Sequence, residues 1–454
     1  MTFRVESIII NLCTQHIFQV GFPKEGTAME TLFLISDTIV TGFFSLCFLY
    51  QIFFIIYELF RLKRKEPEGK PSKLHSFGVI ICARNEQSVI GGLIDSIKRQ
   101  NYPSELVDIF VVADNCTDLT AKYASASGAT VFERQNKNYI GKGYALDFAF
   151  KTLAEQNIRH DAYLIFDADN LVDREFIKEM NLKLCQGFKV LTSYRNSKNY
   201  ATNWITSGYS LSFIREARYL NKAREYLKLC AAISGTGFCV SREIIEKNGG
   251  WKHHLLTEDI EFTVDSVIKG EKFGISERSV LFDEQPTNFK SSWNQRMRWA
   301  KGFYQILGRY GGKLLKGVFK GSFACYDFFI TLFPASAYTI YNVIKAVVEC
   351  VCGFISFSGN LNTFKLVFNC LWPILSCFAI MYLLFFMMGL ITMITEHKVI
   401  RATKAQKIRS VFTYPLFMIT YCPIAVAAIF KKVEWKPIPH NVNATIDDLE
   451  TAKK

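Results

Sequence analysis

The chain lacks the patterns that hold a metal through sulfur or imidazole. Its 13 cysteines include no Cys-x-x-Cys pair, and its seven histidines form no cluster at zinc spacing. A structural zinc module is therefore excluded. The thiols are scattered from Cys13 to Cys422, with Cys350 and Cys352 as a lone Cys-x-Cys in an apolar run. They read as core and lipid-facing groups in a reducing compartment. Charge is sparse too: 21% of residues are charged and 50% are hydrophobic, which excludes a disordered chain. With 27 Gly and 11 Pro in 454 residues, it is neither collagen-like nor low-complexity. No nucleic-acid-binding motif is present, so nucleic acid is not an expected partner. The Gly-x-x-x-x-Gly-Lys-Ser/Thr spacing of a P-loop is absent as well.

The charge that is present is unbalanced. Fifty-four Lys and Arg against 41 Asp and Glu leave +13, which suits an anionic membrane surface or a nucleotide phosphate. The apolar residues gather in long runs. Residues 31–60 can cross a hydrocarbon layer of about 30 Å. The basic tract Arg61-Leu62-Lys63-Arg64-Lys65 follows at once, so the N-terminus is expected outside and the following domain inside. No small-residue cleavage site follows the run, which reads as an anchor rather than a signal peptide. Residues 1–28 read as an interfacial lead-in, with Met29 as an alternative start. Runs of spanning length return at 323–357 and 364–394. A basic loop at 398–409 precedes a third run, 411–430, broken by Pro415 and Pro423. Three crossings would strand Lys431-Lys432 outside, so 411–430 is expected to be interfacial or re-entrant, with the tail inside. The expected organisation is a lead-in and transmembrane helix (1–60), a cytoplasmic domain (61–312) with a cationic interfacial helix to about 321, membrane and interfacial helices (322–430), and a polar tail (431–454). Such a chain is a multi-pass membrane protein with lipids as partners, and its compactness suggests a bacterial inner membrane.

Between Pro71 and Gly312, apolar runs of strand length alternate with amphipathic helical stretches, the pattern of an α/β domain. Phe77-Gly-Val-Ile-Ile-Cys reads as a buried strand ending in Ala83-Arg84-Asn85-Glu86. A strand that turns into a helix in this way forms a nucleotide-binding edge. A second strand from Val107 ends in Asp114-Asn115-Cys116-Thr117-Asp118. There a carboxylate suits a base or ribose, and Thr117 or Asp118 can cap the next helix. Lys142 stands between two glycines at a helix start, where it can meet a diphosphate. A third strand from Ala162 ends in Asp167-Ala168-Asp169. Alternate strand residues share a side, so Asp167 and Asp169 can converge on one cation, and oxygen ligands suit Mg²⁺ or Mn²⁺. Ser234-Gly235-Thr236-Gly237, Thr257-Glu258-Asp259 and Gln295-Arg296-Met297-Arg298-Trp299 follow in order. A carboxylate is a natural base toward a sugar hydroxyl. Arginines meet phosphates, and an indole stacks on a sugar face. His253-His254 reads as polar surface. The tail motif Trp435-Lys436-Pro437-Ile438-Pro439-His440 reads either as an interfacial anchor or as a segment folding back over the site.

These motifs resemble family 2 glycosyltransferases of the GT-A fold, specifically the membrane-embedded polysaccharide synthases: cellulose, chitin, hyaluronan and poly-N-acetylglucosamine synthases. The resemblance runs from Phe77 to Trp299 and into the flanking apolar segments. It rests on Asp-x-Asp, Thr-Glu-Asp and Gln-x-x-Arg-Trp in that order, followed by apolar spans. It implies a Rossmann-like α/β GT-A domain that binds a nucleotide sugar in the cytoplasm, on an α-helical transmembrane region. It also implies that Ala83, Arg84, Glu86 and Asp114 line a uridine pocket with Lys142 near the nucleotide. Asp167 would contact the nucleotide side and Asp169 the metal. Asp259, within Thr257-Glu258-Asp259, would be the base. Gln295, Arg296, Arg298 and Trp299 would bind diphosphate and acceptor sugar, with Gly235 and Thr236 bordering the acceptor end. Phe238-Cys239 matches the Phe-Phe-Cys-Gly element of cellulose synthases only in part. Nothing resembling a cyclic-di-GMP-binding extension follows, so regulation by such a domain is not expected.

The implied activity is an inverting transfer dependent on Mg²⁺ or Mn²⁺. The donor would be UDP-glucose or UDP-N-acetylglucosamine and the acceptor a growing glycan, with the β-linked polymer moved across the membrane. A non-processive transferase making a glycolipid is the second reading. A catalytically inactive scaffold is the third, disfavoured because Asp167, Asp169 and Asp259 are all present.

Overall fold

The computed structural model describes residues 28–61, 69, 71–333, scattered positions between 337 and 351, 363–434, 440, 442 and 445–451. The lead-in 1–27, the basic tract after Arg61, Cys350 with Cys352, most of the run 334–362 and the tail residues 435–439 lie outside the described residues.

Helix α1 (Ala28–Arg61) precedes the α/β domain. That domain opens with β1 (Phe77–Ala83), α2 (Ile90–Lys98), β2 (Val107–Asp114), α3 (Thr120–Ala126), β3 (Thr130–Arg134), α4 (Lys142–Glu155) and β4 (Ala162–Asp167). The order continues with β5 (Leu171–Val172), α5 (Phe176–Cys185), β6 (Val190–Ser197), α6 (Trp204–Arg215), a π turn (Glu216–Asn221) and α7 (Lys222–Tyr226). Then come β7 (Phe238–Ser241), α8 (Arg242–Asn248), α9 (Glu258–Ile268), β8 (Phe273–Asp283) and α10 (Phe289–Phe319). Helices α11 (Phe323–Leu332), α12 (Thr363–Glu396), α13 (Lys404–Ile419), α14 (Tyr421–Phe430) and α15 (Ile446–Thr451) complete the described chain.

The eight strands form one sheet in the order β3-β2-β1-β4-β7-β6-β8-β5. The first four are parallel, while β7 runs against both β4 and β6. A strand buried on both faces needs a continuous apolar run, and Phe77-Gly-Val-Ile-Ile-Cys-Ala supplies it. Ile80 packs into the core with Leu146, Phe150 and Trp251, whereas Val79 and Ile81 pack on the opposite face with Ile94, Phe166 and Phe176. The chain leaves β1 on one side for β2 and β3, then returns on the other for β4. Strand order reverses at β1, and in open sheets the crevice outside the carboxyl ends at such a point receives the ligand. Register aligns these ends: Cys82 lies opposite both Val112 and Asp167. Asn85 and Asn115 open the next turns with φ of 57° and 53°, a left-handed conformation that asparagine tolerates better than most residues.

Among the described residues, three helical stretches are long and apolar enough to cross a membrane: Thr38–Arg61, Phe378–Glu396 and Lys404–Phe430. The last takes in the stretch that the sequence reading treats as interfacial or re-entrant. Of the run 323–357, the described helix is α11, ten residues long. Both α12 and α14 end against the α/β domain: Tyr194 Oη donates to Glu396 (2.8 Å) and Lys301 Nζ to the Ile429 carbonyl (3.3 Å). The expected cationic helix is the second half of α10, one helix of 31 residues that starts before Gln295 and ends past Lys316.

A buried ion pair fastens the apolar helices to the domain. Arg224 on α7 grips Asp327 on α11 through Nε (2.6 Å) and Nη2 (2.9 Å), and both side chains are buried. Tyr50 on α1 donates to the same carboxylate (2.7 Å). Removing one partner of a buried pair costs about 3–5 kcal/mol, because the other charge is left without compensation. Arg224→Met should therefore lower the melting temperature sharply. Arg224→Met combined with Asp327→Leu should recover much of the loss. Thermal unfolding of the three proteins in the same detergent checks this.

Candidate active site

The carboxyl ends of β1, β2 and β4 build one rim. Ala83 is buried at the end of β1, and Arg84 to Glu86 form the turn that follows. The turns after β1 and β2 are stitched together. Thr117 N–H donates to Asn85 Oδ1 (2.8 Å), and Glu86 N–H donates to Thr120 Oγ1 (2.8 Å). Asp114 ends β2 against Arg134, whose Nη1 lies 2.5 Å from Oδ1. Burial raises the Asp114 carboxyl above its usual range, opposed by Arg134 and Arg84. Sequence spacing gave no sign of the Arg134 pairing, because the two residues meet only through the parallel register of β2 and β3.

Lys142 begins α4 behind Gly141, whose φ of 138° favours glycine. A Cβ at Gly143 would collide with the His253 carbonyl, so glycine there lets α4 approach the loop before α9. The Lys142 ammonium donates to Asp167 Oδ1 (2.5 Å) and to the Gly235 carbonyl (2.7 Å). Burial opposes its charge, but Asp167 and Glu258 outweigh it and raise its pKa. The other side of the same glycine faces the base candidate: Gly235 N–H donates to Asp259 Oδ2 at 2.6 Å. Thr236 Oγ1 accepts from Asp167 N–H (2.9 Å) and donates to Asn170 Oδ1. One short segment, 234–236, thus touches Lys142, Asp167, Asn170 and Asp259.

Asp259 and Glu258 occupy the first turn of α9, where helix amides favour a negative charge. Both are buried enough for desolvation to raise their pKa, Glu258 to about 8. Asp259 also adds to the rise at Glu258. Ile260 N–H, Lys142, Gly235 N–H and Arg298 act against the rise at Asp259. Thr257 packs where a Cβ at Gly302 of α10 would be, which fits the Thr-Glu-Asp turn against the Gln-x-x-Arg-Trp helix.

Asp169 is buried, and its Oδ2 accepts from Glu284 N–H (3.1 Å). Burial opposes its ionisation, but His440, Lys198 and the Glu284 amide outweigh it and hold its carboxyl below the usual range. His440 lies between two carboxylates: Nδ1 is 3.1 Å from Glu86 Oε2 and Nε2 is 3.9 Å from Asp169 Oδ2. Although burial lowers the pKa of His440, Asp169, Glu86 and Glu284 together push it up to about 10. A pocket that stabilises an imidazolium between two carboxylates is suited to a cation. Its oxygen donors fit Mg²⁺ or Mn²⁺, which complete their shells with water and substrate phosphates. Among the described residues no cluster of three or more His, Cys, Asp or Glu forms a protein-only metal cage.

The tail motif's last residue therefore reaches the site, while Trp435 to Pro439 lie outside the described residues. The tail is tied down further on. Val442 N–H donates to Glu284 (3.0 Å), Asp447 pairs with Arg99 (2.6 Å) and Arg174 (2.7 Å), and Ile446 packs on Leu171 and Phe282. His253 is not polar surface. It is buried with Nε2 3.1 Å from Asp265, and its carbonyl accepts from Trp251 Nε1. His254 stacks on Tyr144.

The Gln-x-x-Arg-Trp segment divides. Arg298 faces the site, donating to the Leu256 carbonyl (3.0 Å) next to Thr257. Arg296 does not join the carboxylates. It is fully buried on α13 and α14, donating to the Phe417 carbonyl (3.1 Å) and Thr420 Oγ1 (2.7 Å), with its guanidinium over Phe417 and Tyr421. Two residues along a helix amount to about 200° of rotation, which separates Arg296 from Arg298. Gln295 Oε1 is buried and has no hydrogen-bond partner among the described residues. Trp299 meets Tyr209 edge to face at 5.7 Å and lies 6.1 Å from Phe213.

Residues 75–302 match the family described as glycosyltransferase like family 2. A beta-monoglucosyldiacylglycerol synthase of Synechocystis is 26% identical over 260 residues, covering 54% of this chain and 53% of that protein. A poly-beta-1,6-N-acetyl-D-glucosamine synthase of Staphylococcus aureus is 20% identical over 284 residues, covering 59% and 67%. The chain spans 53–59% of the length of the curated relatives it matches first. A mannosyltransferase of Pyrobaculum calidifontis, solved with GDP-Man and Mn²⁺, superposes with a TM-score of 0.52 at 15% identity, covering 87% of this chain and 99% of that one. The chain belongs to glycosyltransferase family 2 and has the GT-A fold.

Glu258 makes stability depend on pH. Between its ordinary 4.5 and about 8 the folded chain holds a proton that the unfolded chain has released. Stability contributed by this group is full below the lower value and is lost as pH rises through the window. Glu258→Gln removes the dependence. Its melting temperature should gain on that of the parent from about pH 5 to about pH 8, which a paired series of thermal melts measures.

Proposed function

We propose that the chain transfers a sugar, with inversion, from a uridine diphosphate sugar to a growing glycan at the cytoplasmic membrane face. The observation that carries this reading is the joined geometry of Asp259, Gly235, Lys142 and Asp167: a base candidate is bridged by one glycine to a cation bonded to the first carboxylate of Asp-x-Asp. Ala83, Arg84, Glu86 and Asp114 form the rim for the uridine. Asp169, with Asp167 two residues before it, would hold Mg²⁺ or Mn²⁺, which supplies Lewis-acid stabilisation of the diphosphate leaving group. Asp259 takes the proton from the acceptor hydroxyl as its oxygen attacks the anomeric carbon. The bond from that carbon to the diphosphate oxygen breaks, and Lys142 and Arg298 offset the charge that leaves. An α-linked donor gives a β-linked product.

The glycan acceptor is supported by the order of residues on α10. Arg298 faces the carboxylates, and Trp299 follows on the side of α6 and the apolar helices, where a chain leaving the site toward the membrane would stack. The donor is read as UDP-glucose or UDP-N-acetylglucosamine. The second reading, one sugar added to a lipid, is favoured by the 26% identity to beta-monoglucosyldiacylglycerol synthases.

The full chain in nanodiscs, given Mn²⁺ or Mg²⁺ and single UDP-sugars, should release UDP and build a product long enough to resolve on a gel. A one-sugar product appearing only when diacylglycerol is supplied would select the lipid acceptor. Asp259→Asn should lower kcat by about a hundredfold or more while donor binding persists, and an active Asp259→Asn would refute the base. Trp299→Ala should shorten the polymer without abolishing UDP release, as product sizing would show.

A further inference from the structure

The helix that carries Trp204 to Tyr226 does not run evenly. Asn203 caps α6 with a reciprocal box, and the regular winding gives way at Glu216 to a π turn before α7 resumes. Upstream, Tyr209 packs on Phe417, and a Cβ at Gly208 would collide with the same ring. Downstream, Arg224 grips Asp327. Isolated π turns persist at functional sites because the wider turn re-aims a side chain. The side chain at this one is a carboxylate with 7% exposure, buried on a domain helix.

Glu216 Oε1 accepts from Ser234 Oγ at 2.6 Å. Ser234 immediately precedes Gly235, and its carbonyl accepts from Arg195 Nη1 (3.0 Å), which is itself paired through Nε with Asp283 (2.6 Å). The segment on which Asp259 depends is therefore held from two sides, by Arg195 on β6 and by Glu216 at the π turn. Gly235 has φ of 79°, so its own conformation does little to fix the direction of its N–H, and the neighbouring anchors must fix it.

We infer that Glu216 is a positioning residue that acts through Ser234 to aim the Gly235 N–H at Asp259. The inference rests on Asp259 being the base. Loss of the Glu216–Ser234 bond lets the Gly235 peptide tilt and weakens its bond to Asp259. Lys142 keeps its second anchor on Asp167, so the donor side is spared. The groups facing Asp259 are Glu258 on α9, Lys142 on α4 and Arg298 on α10, and none of them moves in this scheme.

The test compares Ser234→Ala, Glu216→Leu, Glu216→Gln and the Ser234→Ala/Glu216→Leu double variant as full chains in nanodiscs, with UDP release measured against donor concentration and pH. Ser234→Ala should lower kcat about ten- to a hundredfold, as expected for a slightly misplaced catalytic group. Donor KM should stay within about twofold. The acid limb of its kcat–pH profile should move to higher pH, since Asp259 loses a hydrogen bond that favours its charged form. Glu216→Gln keeps an acceptor oxygen and should lose less than Glu216→Leu, and the double variant should be no slower than the worse single one. A Ser234→Ala enzyme with parental kcat and an unmoved acid limb would overturn the inference, as would losses that multiply in the double variant. If Glu216→Leu fails to fold, Ser234→Ala decides alone. An active Asp259→Asn would instead remove the base assignment itself. An inactive Asp259→Asn beside a fully active Ser234→Ala would leave that assignment standing and reject only the positioning role.

Discussion

The backbone of Gly235 is the point on which the site depends. Its N–H is bonded to Asp259 and its carbonyl to Lys142. The carboxylate of the first turn of α9 and the ammonium at the start of α4 belong to elements more than a hundred residues apart in sequence. A single glycine residue sets the spacing between them, its N–H facing the carboxylate and its carbonyl the ammonium. A side chain could not do this as well, since it would lose rotamer freedom at each bond. Glycine is required at 237 for a second reason: a Cβ there would collide with Leu281 and Ser193. The loop must lie flat against β6 and β8 for residue 235 to reach both partners.

The rest of the domain supplies rigidity around that glycine. Parallel β1, β2 and β4 end in register, so three polar turns emerge at one level. The antiparallel strand β7 then brings the chain back so that segment 234–236 crosses the end of β4. Helix α10 adds Arg298 from one side, and its Gly302 leaves room for Thr257. Arg296 holds the same helix to α13 and α14 on the other. The cost of burying that guanidinium is offset by three hydrogen bonds and three aromatic faces. Its position on the helix therefore serves attachment, and its neighbour two residues on serves the site.

Much of this was legible in the sequence. Continuous apolar runs ending in Arg84–Glu86, Asp114 and Asp167 announce strands and the polar rim at their ends, because side-chain alternation and burial are local consequences of composition. What was not legible depends on the third dimension. Arg296 and Arg298 are equivalent as letters, and only the direction of α10 relative to the apolar helices separates them. His253 and His254 are adjacent in a loop, yet one is buried against Asp265 and the other stacks on Tyr144. The partnership of Asp114 with Arg134 needs the β2–β3 register. A tail folding back over the site is one of the two readings the sequence offers, but the arrival of His440 between Glu86 and Asp169 needs the path of the whole apolar region. The π turn at Glu216 has no sequence signal, since helix propensity does not distinguish the winding.

That arrival of His440 also constrains how the chain is threaded. The imidazole and the turn after β1 occupy the same compartment, because they touch. Any crossings of a bilayer between α10 and residue 440 must therefore be even in number, whatever course residues 334–362 take. Glu396 at the end of α12 bonds Tyr194 of β6, so the count is already even by that residue. The 27 residues of Lys404–Phe430 are long enough to cross. Yet parity has them begin and end on the domain's side, where Ala425 and Ile429 meet Tyr304 and Lys301 of α10.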